Sequence, residues 1–213
     1  MNILFDLDGT LTDPKEGILN CIRHALDKLG HAIPPESSLR RCIGPPLQDT
    51  FRELLATDDT ALVDQAIAYY RERFAPTGIY ENILYTGIPE TLEHLCSGDA
   101  RLYLATSKPR VFAEKIIDRF DLRQHFQALH GSELDGTRAG KTELIGYILK
   151  EENLLPEECI MVGDRKHDAL GAIANNVAAH GVLWGYGSQD ELEEAGCAAL
   201  HTHPEHLREL IIS

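Results

Sequence analysis

Short apolar runs that stop at small or polar residues recur along the chain, at 2–7, 101–106, 128–131, 159–162 and 178–183. Stretches with helical spacing lie between them, at 88–96, 111–120, 141–152 and 167–176. Runs of this length suit strands buried on both faces, and apolar residues recurring every three or four positions suit helices. Alternation of the two favours a parallel sheet, since parallel neighbours need a crossover between them. The expected fold class is therefore α/β, a doubly wound parallel sheet with helices on both faces.

One stretch breaks the alternation. Between about residues 15 and 80 no strand is legible, and helical spacing covers 17–29, 46–56 and 59–74. Pro34-Pro35, Gly44-Pro45-Pro46 and the segment from Pro76 to Gly78 punctuate it. The expected organisation is a discontinuous α/β core of residues 1–14 and 80–213, with a small all-helical cap at 15–79 inserted in it.

Charge and cysteine usage narrow the function classes. Against 34 Asp+Glu the chain has only 20 Lys+Arg, a formal charge of −14. Nucleic-acid polymers are poor partners for such a chain, because their binding needs clustered cations to displace counterions. Five scattered cysteines without a Cys-x-x-Cys pair argue against a disulfide framework and for a reducing compartment. The first residues carry no basic, apolar leader, and no apolar run approaches the roughly 18 residues that span a bilayer. A cytoplasmic location and no membrane partner are expected.

Ligands of open parallel sheets sit beyond the carboxyl ends of the strands. Those ends hold Asp6-Leu7-Asp8-Gly9-Thr10, Thr106-Ser107-Lys108-Pro109 and Gly163-Asp164-Arg165-Lys166-His167-Asp168, with Lys141 opening a later helix. Two aspartates at i and i+2 plus a carboxylate from another strand offer hard oxygen ligands suited to Mg²⁺. A hydroxyl and a lysine offer a donor and a point charge for phosphate oxygens. The set suits phosphoryl transfer, in which a carboxylate nucleophile splits one displacement into two.

DLDGTLTD at 6–13, ATSKP at 105–109 and GDRKHD at 163–168 together resemble the haloacid dehalogenase superfamily, in the branch with a helical cap after the first motif, and within it phosphoglycolate-phosphatase-type hydrolases. The resemblance covers essentially the whole chain and implies a Rossmann-like core and Mg²⁺ as cofactor. Carried over, it makes Asp6 the nucleophile and a metal ligand. Asp8 becomes the general acid/base and a ligand through its backbone carbonyl, Asp164 a further metal ligand, and Asp168 a carboxylate orienting a metal-bound water or Lys141. Thr106 donates its hydroxyl and Ser107 its amide to phosphate, while Lys141 neutralises charge on Asp6 and the phosphoryl group. Related phosphatases carry a KPxP segment where this chain reads Lys141-Thr142-Glu143-Leu144, which leaves Arg138 as the substitute cation.

Other residues have plainer readings. Asp13 suits a cap for the helix after Pro14, and Thr106 and Ser107 also suit a helix cap. Lys108 either adds charge beside them or is solvated, and Arg165, Lys166 and His167 are expected at the surface. The segment from His201 to His206 reads as solvated, and that from Trp184 to Gly187 as a turn at the sheet's edge. In the cap, Arg41 and Gly44 are candidates for reading the leaving group, with Arg23, Arg40, Tyr70 and Arg73 behind them.

The resemblance implies a small-molecule phosphate monoester as substrate, phosphoglycolate first and nucleoside 5′-monophosphates second, for a monomer or homodimer. A phosphoglucomutase-like transferase is the nearest rival. A dehalogenase has no need of Asp8, and the intact set of polar residues argues against a non-catalytic binding module.

Overall fold

The computed structural model describes residues 1–211. In chain order the elements are β1 (Asn2–Phe5), β2 (Thr12–Asp13), α1 (Lys15–Lys28), α2 (Glu36–Leu39), α3 (Leu47–Leu55), α4 (Thr60–Phe74), β3 (Ile83–Leu84), α5 (Ile88–Ser97) and β4 (Arg101–Pro109). There follow α6 (Arg110–Arg119), β5 (Phe126–Ser132), α7 (Lys141–Glu151), β6 (Cys159–Gly163), α8 (Lys166–Ile173), β7 (Ala178–Val182), α9 (Gln189–Glu194) and β8 (Ala199–His201). Two compact units result: residues 1–13 with the chain from Leu84 onward, and Pro14–Ile83.

The larger unit is built on a six-stranded sheet in the order β5-β4-β1-β6-β7-β8, every pairing parallel. The chain is thus α/β and doubly wound. Side chains alternate between the faces of a strand. On one face Leu4, Tyr103 and Met161 pack with Leu144, Ile145 and Ile148 of α7 and Ala169 and Ala172 of α8. Their neighbours Ile3, Phe5, Leu102 and Leu104 are buried just as fully, and α5 and α6 also lie against β4. Burial on both faces is why the strands read as continuous apolar runs.

Strand β8 was not legible in the sequence. Only three residues long, it pairs with β7 and places β8, not β7, at the edge. His201 is therefore half-buried rather than solvated, its ring stacked on His180 with Nδ1 of His180 3.0 Å from Nε2 of His201.

The smaller unit contains α1–α4 and is formed by helix pairing. Ile18, Leu19, Ile22, Ala25 and Leu26 of α1 form one buried stripe, as do Val63, Ala66, Ile67, Tyr70 and Phe74 of α4. Asp59 caps α4 by accepting the Ala61 N–H at 3.0 Å. Gly17 lies where α1 meets the chain at Gly78: its N–H donates to Glu81 O at 3.1 Å, and an added methyl would overlap Gly78 O.

An alanine in the middle of a helix ordinarily gains about 1 kcal/mol over glycine. At position 17 overpacking, typically about 1–3 kcal/mol, opposes that gain. Gly17→Ala is therefore expected to lower the urea midpoint of the full chain. A raised midpoint would show that α1 and the 78–81 segment are not held this closely.

Candidate active site

The parallel register brings three strand ends together. Phe5 lies opposite Leu104 on one side and Val162 on the other, and the Asp6 N–H donates to Val162 O at 2.9 Å. Asp6 thus leaves β1 beside Ala105 and Thr106 of β4 and beside Gly163 and Asp164 after β6. From the first position of α7, the Lys141 ammonium donates to Asp6 Oδ1 and to Ala105 O, both at 2.7 Å. It also pairs with Asp168 Oδ1 at 2.5 Å. Lys141 is only 6% exposed. Burial works against its charge, but Asp168 and Asp6 hold its pKa above the usual lysine range. Arg138 is engaged elsewhere, paired with Glu133 and lying over the Tyr147 ring at 4.5 Å. Lys141, not Arg138, is the cation beside Asp6.

Oxygens of Asp6, Asp164 and Asp168 lie within 4.8 Å of one another, all buried. Burial first, and then Asp168 and Asp6, push the Asp164 carboxyl well above its ordinary pKa. Asp168 is raised to about 6 by burial, against the pull of Lys141. Its Oδ2 accepts the Arg165 N–H at 3.1 Å at the start of α8. Asp164 Oδ2 accepts the Tyr186 N–H at 2.7 Å. Asp164 Oδ1 and Asp8 Oδ1 are buried with no hydrogen-bond partner among the described residues. Buried carboxylate oxygens without donors, crowded round one ammonium, fit a hard divalent cation.

Several assignments change with the geometry. The Lys108 side chain is only 7% exposed, with its ammonium 2.6 Å from Asp8 Oδ2, and is neither solvated nor merely adjacent. Burial raises the Asp8 carboxyl above its ordinary pKa although Lys108 opposes the shift. Asp13 caps no helix: α1 has Pro14 at its N-cap with no side-chain bond, and Asp13 Oδ1 instead accepts from the Tyr186 hydroxyl. Thr106 and Ser107 are likewise not caps, since β4 runs on to Pro109. Thr106 Oγ1 accepts the Lys108 N–H at 3.2 Å, and Ser107 O accepts the Ser132 hydroxyl at 2.8 Å.

Arg165 is buried rather than exposed, and its Nε donates to Glu191 Oε1 at 2.9 Å. The segment from Trp184 to Gly187 lies against Asp164, not at the sheet's edge. Its place, just past a strand end, was the one signal that could have drawn attention to it. In the smaller unit, Arg41 is exposed and bonds Ser38 O at 3.2 Å, and Gly44 has φ +106°. No described helix is long and apolar enough to cross a membrane.

Residues 3–182 match the family described as haloacid dehalogenase-like hydrolase. A Pseudomonas aeruginosa protein named 5′-nucleotidase is 52% identical over 191 residues, covering 90% of this chain and 86% of the relative. The Mycobacterium tuberculosis tyrosine-protein kinase PtkA is 36% identical over 98% of this chain and 70% of its own. Proteins named phosphoglycolate phosphatase are more distant, at 25% identity in Colwellia psychrerythraea over 91% of this chain and 89% of that one. Among solved structures, a predicted phosphatase from Clostridium acetobutylicum superposes with a TM-score of 0.95 at 39% identity, covering 99% of this chain and 97% of that one. With its family match, its fold and its buried strand-end carboxylates all in agreement, the chain belongs to the haloacid dehalogenase-like hydrolases and is a phosphatase.

Proposed function

We propose that this phosphatase is Mg²⁺-dependent and works through an aspartyl-phosphate on Asp6. The observation that carries the reading is the buried group of Asp6, Asp164 and Asp168 with the Lys141 ammonium among them. Asp6, Asp164 and the backbone carbonyl of Asp8 would hold the cation. When bound, it supplies positive charge for phosphoryl oxygens that spread negative charge in the transition state.

Lys141 fixes Asp6 through Oδ1, which leaves Oδ2 to attack phosphorus as the ester oxygen departs. Asp8 gives that oxygen its proton, a role helped by a burial-raised pKa, and then takes a proton from the water that cleaves the acyl phosphate. Thr106 already accepts the Lys108 N–H, so its own hydroxyl hydrogen is left to donate to the phosphoryl group. The Ser132 bond steadies the Ser107 peptide, whose amide is the next donor. Asp168 positions Lys141 from the other side.

Residues 1–14 and 80–213 serve as the catalytic core and 15–79 as the cap, with Arg41 and Gly44 reading the leaving group. Nucleoside 5′-monophosphates are the first substrate class, supported by the name of the relative at 52% identity. Phosphoglycolate comes second, supported by names at 25% identity. A screen of phosphate release across both classes and sugar phosphates is expected to give the highest kcat/KM on a nucleoside 5′-monophosphate. Transfer of phosphate between sugar hydroxyls without its release would instead favour a mutase.

Asp6→Asn is expected to cut kcat by about 10³-fold or more with the fold kept, and a smaller loss would remove Asp6 as nucleophile. Asp8→Asn is expected to lose about 10²- to 10⁴-fold, with a phosphate adduct visible by intact mass spectrometry.

The pH dependence follows from the raised carboxyls. Unfolded aspartates titrate near about 4, whereas folded Asp168 titrates at about 6 and Asp164 well above its ordinary value. Their contribution to metal-free stability is present below the unfolded value and is lost as pH climbs through the folded ones. Mg²⁺ takes its ligand Asp164 only in the ionised form, and an ionised Asp168 beside it adds attraction for the cation. The rise in Tm given by a fixed Mg²⁺ concentration is therefore expected to grow from about pH 5 to about pH 7.5. An increment larger at the acid end would contradict the assignment.

A further inference from the structure

The segment from Trp184 to Gly187 meets Asp164 at three points and the loop after β1 at Thr10. Its Tyr186 N–H donates to Asp164 Oδ2 at 2.7 Å. Gly185 lies so close that an added methyl would overlap both the Asp164 side chain and Gly9 O. A methyl on Gly187 would overlap Asp164 O. Trp184, the single tryptophan of the chain, donates its indole N–H to Thr10 O at 3.0 Å. The result is a main-chain wall behind one carboxylate: Oδ2 is tied back, while Oδ1 stays buried without a hydrogen-bond partner among the described residues, in the cluster with Asp6 and Asp168.

We infer that residues 184–187 are a brace that sets the position of Asp164, with Gly185, Gly187 and the Tyr186 amide as positioning residues for divalent-cation binding. The inference rests on the proposal that the cluster holds Mg²⁺. Free carboxylates turn about their last side-chain bond, and a ligand held by an outer hydrogen bond loses less freedom when the ion arrives; removing such support typically costs about 10- to 100-fold in metal affinity. Only glycine fits at 185 and 187, because any Cβ there displaces the carboxylate or its own peptide.

The test is calorimetric titration of Mg²⁺ into the full-length protein and four variants, with folding followed by circular dichroism. Gly185→Ala and Gly187→Ala are expected to weaken Mg²⁺ binding by about tenfold or more. Gly98→Ala, whose methyl would crowd Ile211 ahead of the first residue of β4 rather than past its carboxyl end, is expected to keep affinity within about twofold; an equal loss there would reduce the effect to general overpacking and overturn the brace. Trp184→Phe adds no volume, keeps an aromatic ring and removes the indole N–H that bonds Thr10 O, so it decides the matter should the glycine variants not fold. Its binding is expected to weaken measurably but by less than the roughly tenfold of a lost direct ligand support. Unchanged affinity in folded Gly185→Ala, or in Trp184→Phe where the glycine variants are unfolded, overturns the brace and leaves the cation reading standing. Wild-type protein that takes up no Mg²⁺ overturns the cation reading and the brace with it.

Discussion

Lys141 carries a positive charge into a crevice where Asp6 and Asp168 are themselves nearly sealed from water. A lysine at the first turn of a helix faces the positive end of the helix dipole, an arrangement that costs roughly 0.3–1 kcal/mol. Two carboxylates and the Ala105 carbonyl more than offset that cost. The dependence is mutual: removing one partner of a buried pair leaves an uncompensated charge, at about 3–5 kcal/mol. α7, β1 and the start of α8 are thus tied to one nitrogen, and the order β4-β1-β6 in the sheet puts all of them within its reach.

This tie explains what could be read from the chain alone. The strands are legible because burial on both faces demands apolar runs, and their carboxyl ends are where polar residues such as Asp6, Thr106 and Asp164 interrupt those runs. Lys141 is legible only by its place at a helix start, since nothing local distinguishes it from Arg138. What separates them is the backbone: Arg138 sits in the left-handed region, φ +61°, within the turn before α7, and its guanidinium is taken by Glu133 and Tyr147.

The side-chain pairings that were not legible share one property: their partners lie far along the chain. Lys108 looks like any strand-end lysine until β1 is set beside β4 and Asp8 comes within 2.6 Å. Arg165 needs Glu191, 26 positions on, and Asp13 needs Tyr186, 173 positions on. β8 is too short for period-2 alternation to register, and α2 is a single turn. Local pattern fixes which face of an element is buried, but which charged groups meet is decided by strand order, and strand order is a non-local property.

Strand order also reconciles the chain's charge with an anionic substrate. A formal charge of −14 should repel a phosphate ester, yet exposed charges are screened over roughly 10 Å at 0.1 M salt, whereas groups buried in the crevice interact through a medium of lower dielectric. There the balance is local. Once ionised, Asp6, Asp8, Asp164 and Asp168 outnumber Lys141 and Lys108, and the crevice then attracts cations first. A divalent ion drawn in by that excess would turn the same carboxylates from a source of repulsion into the scaffold of a phosphate site. On this view the acidic cluster is what makes anion binding conditional, because a phosphate ester meets a favourable crevice only after the cation has arrived.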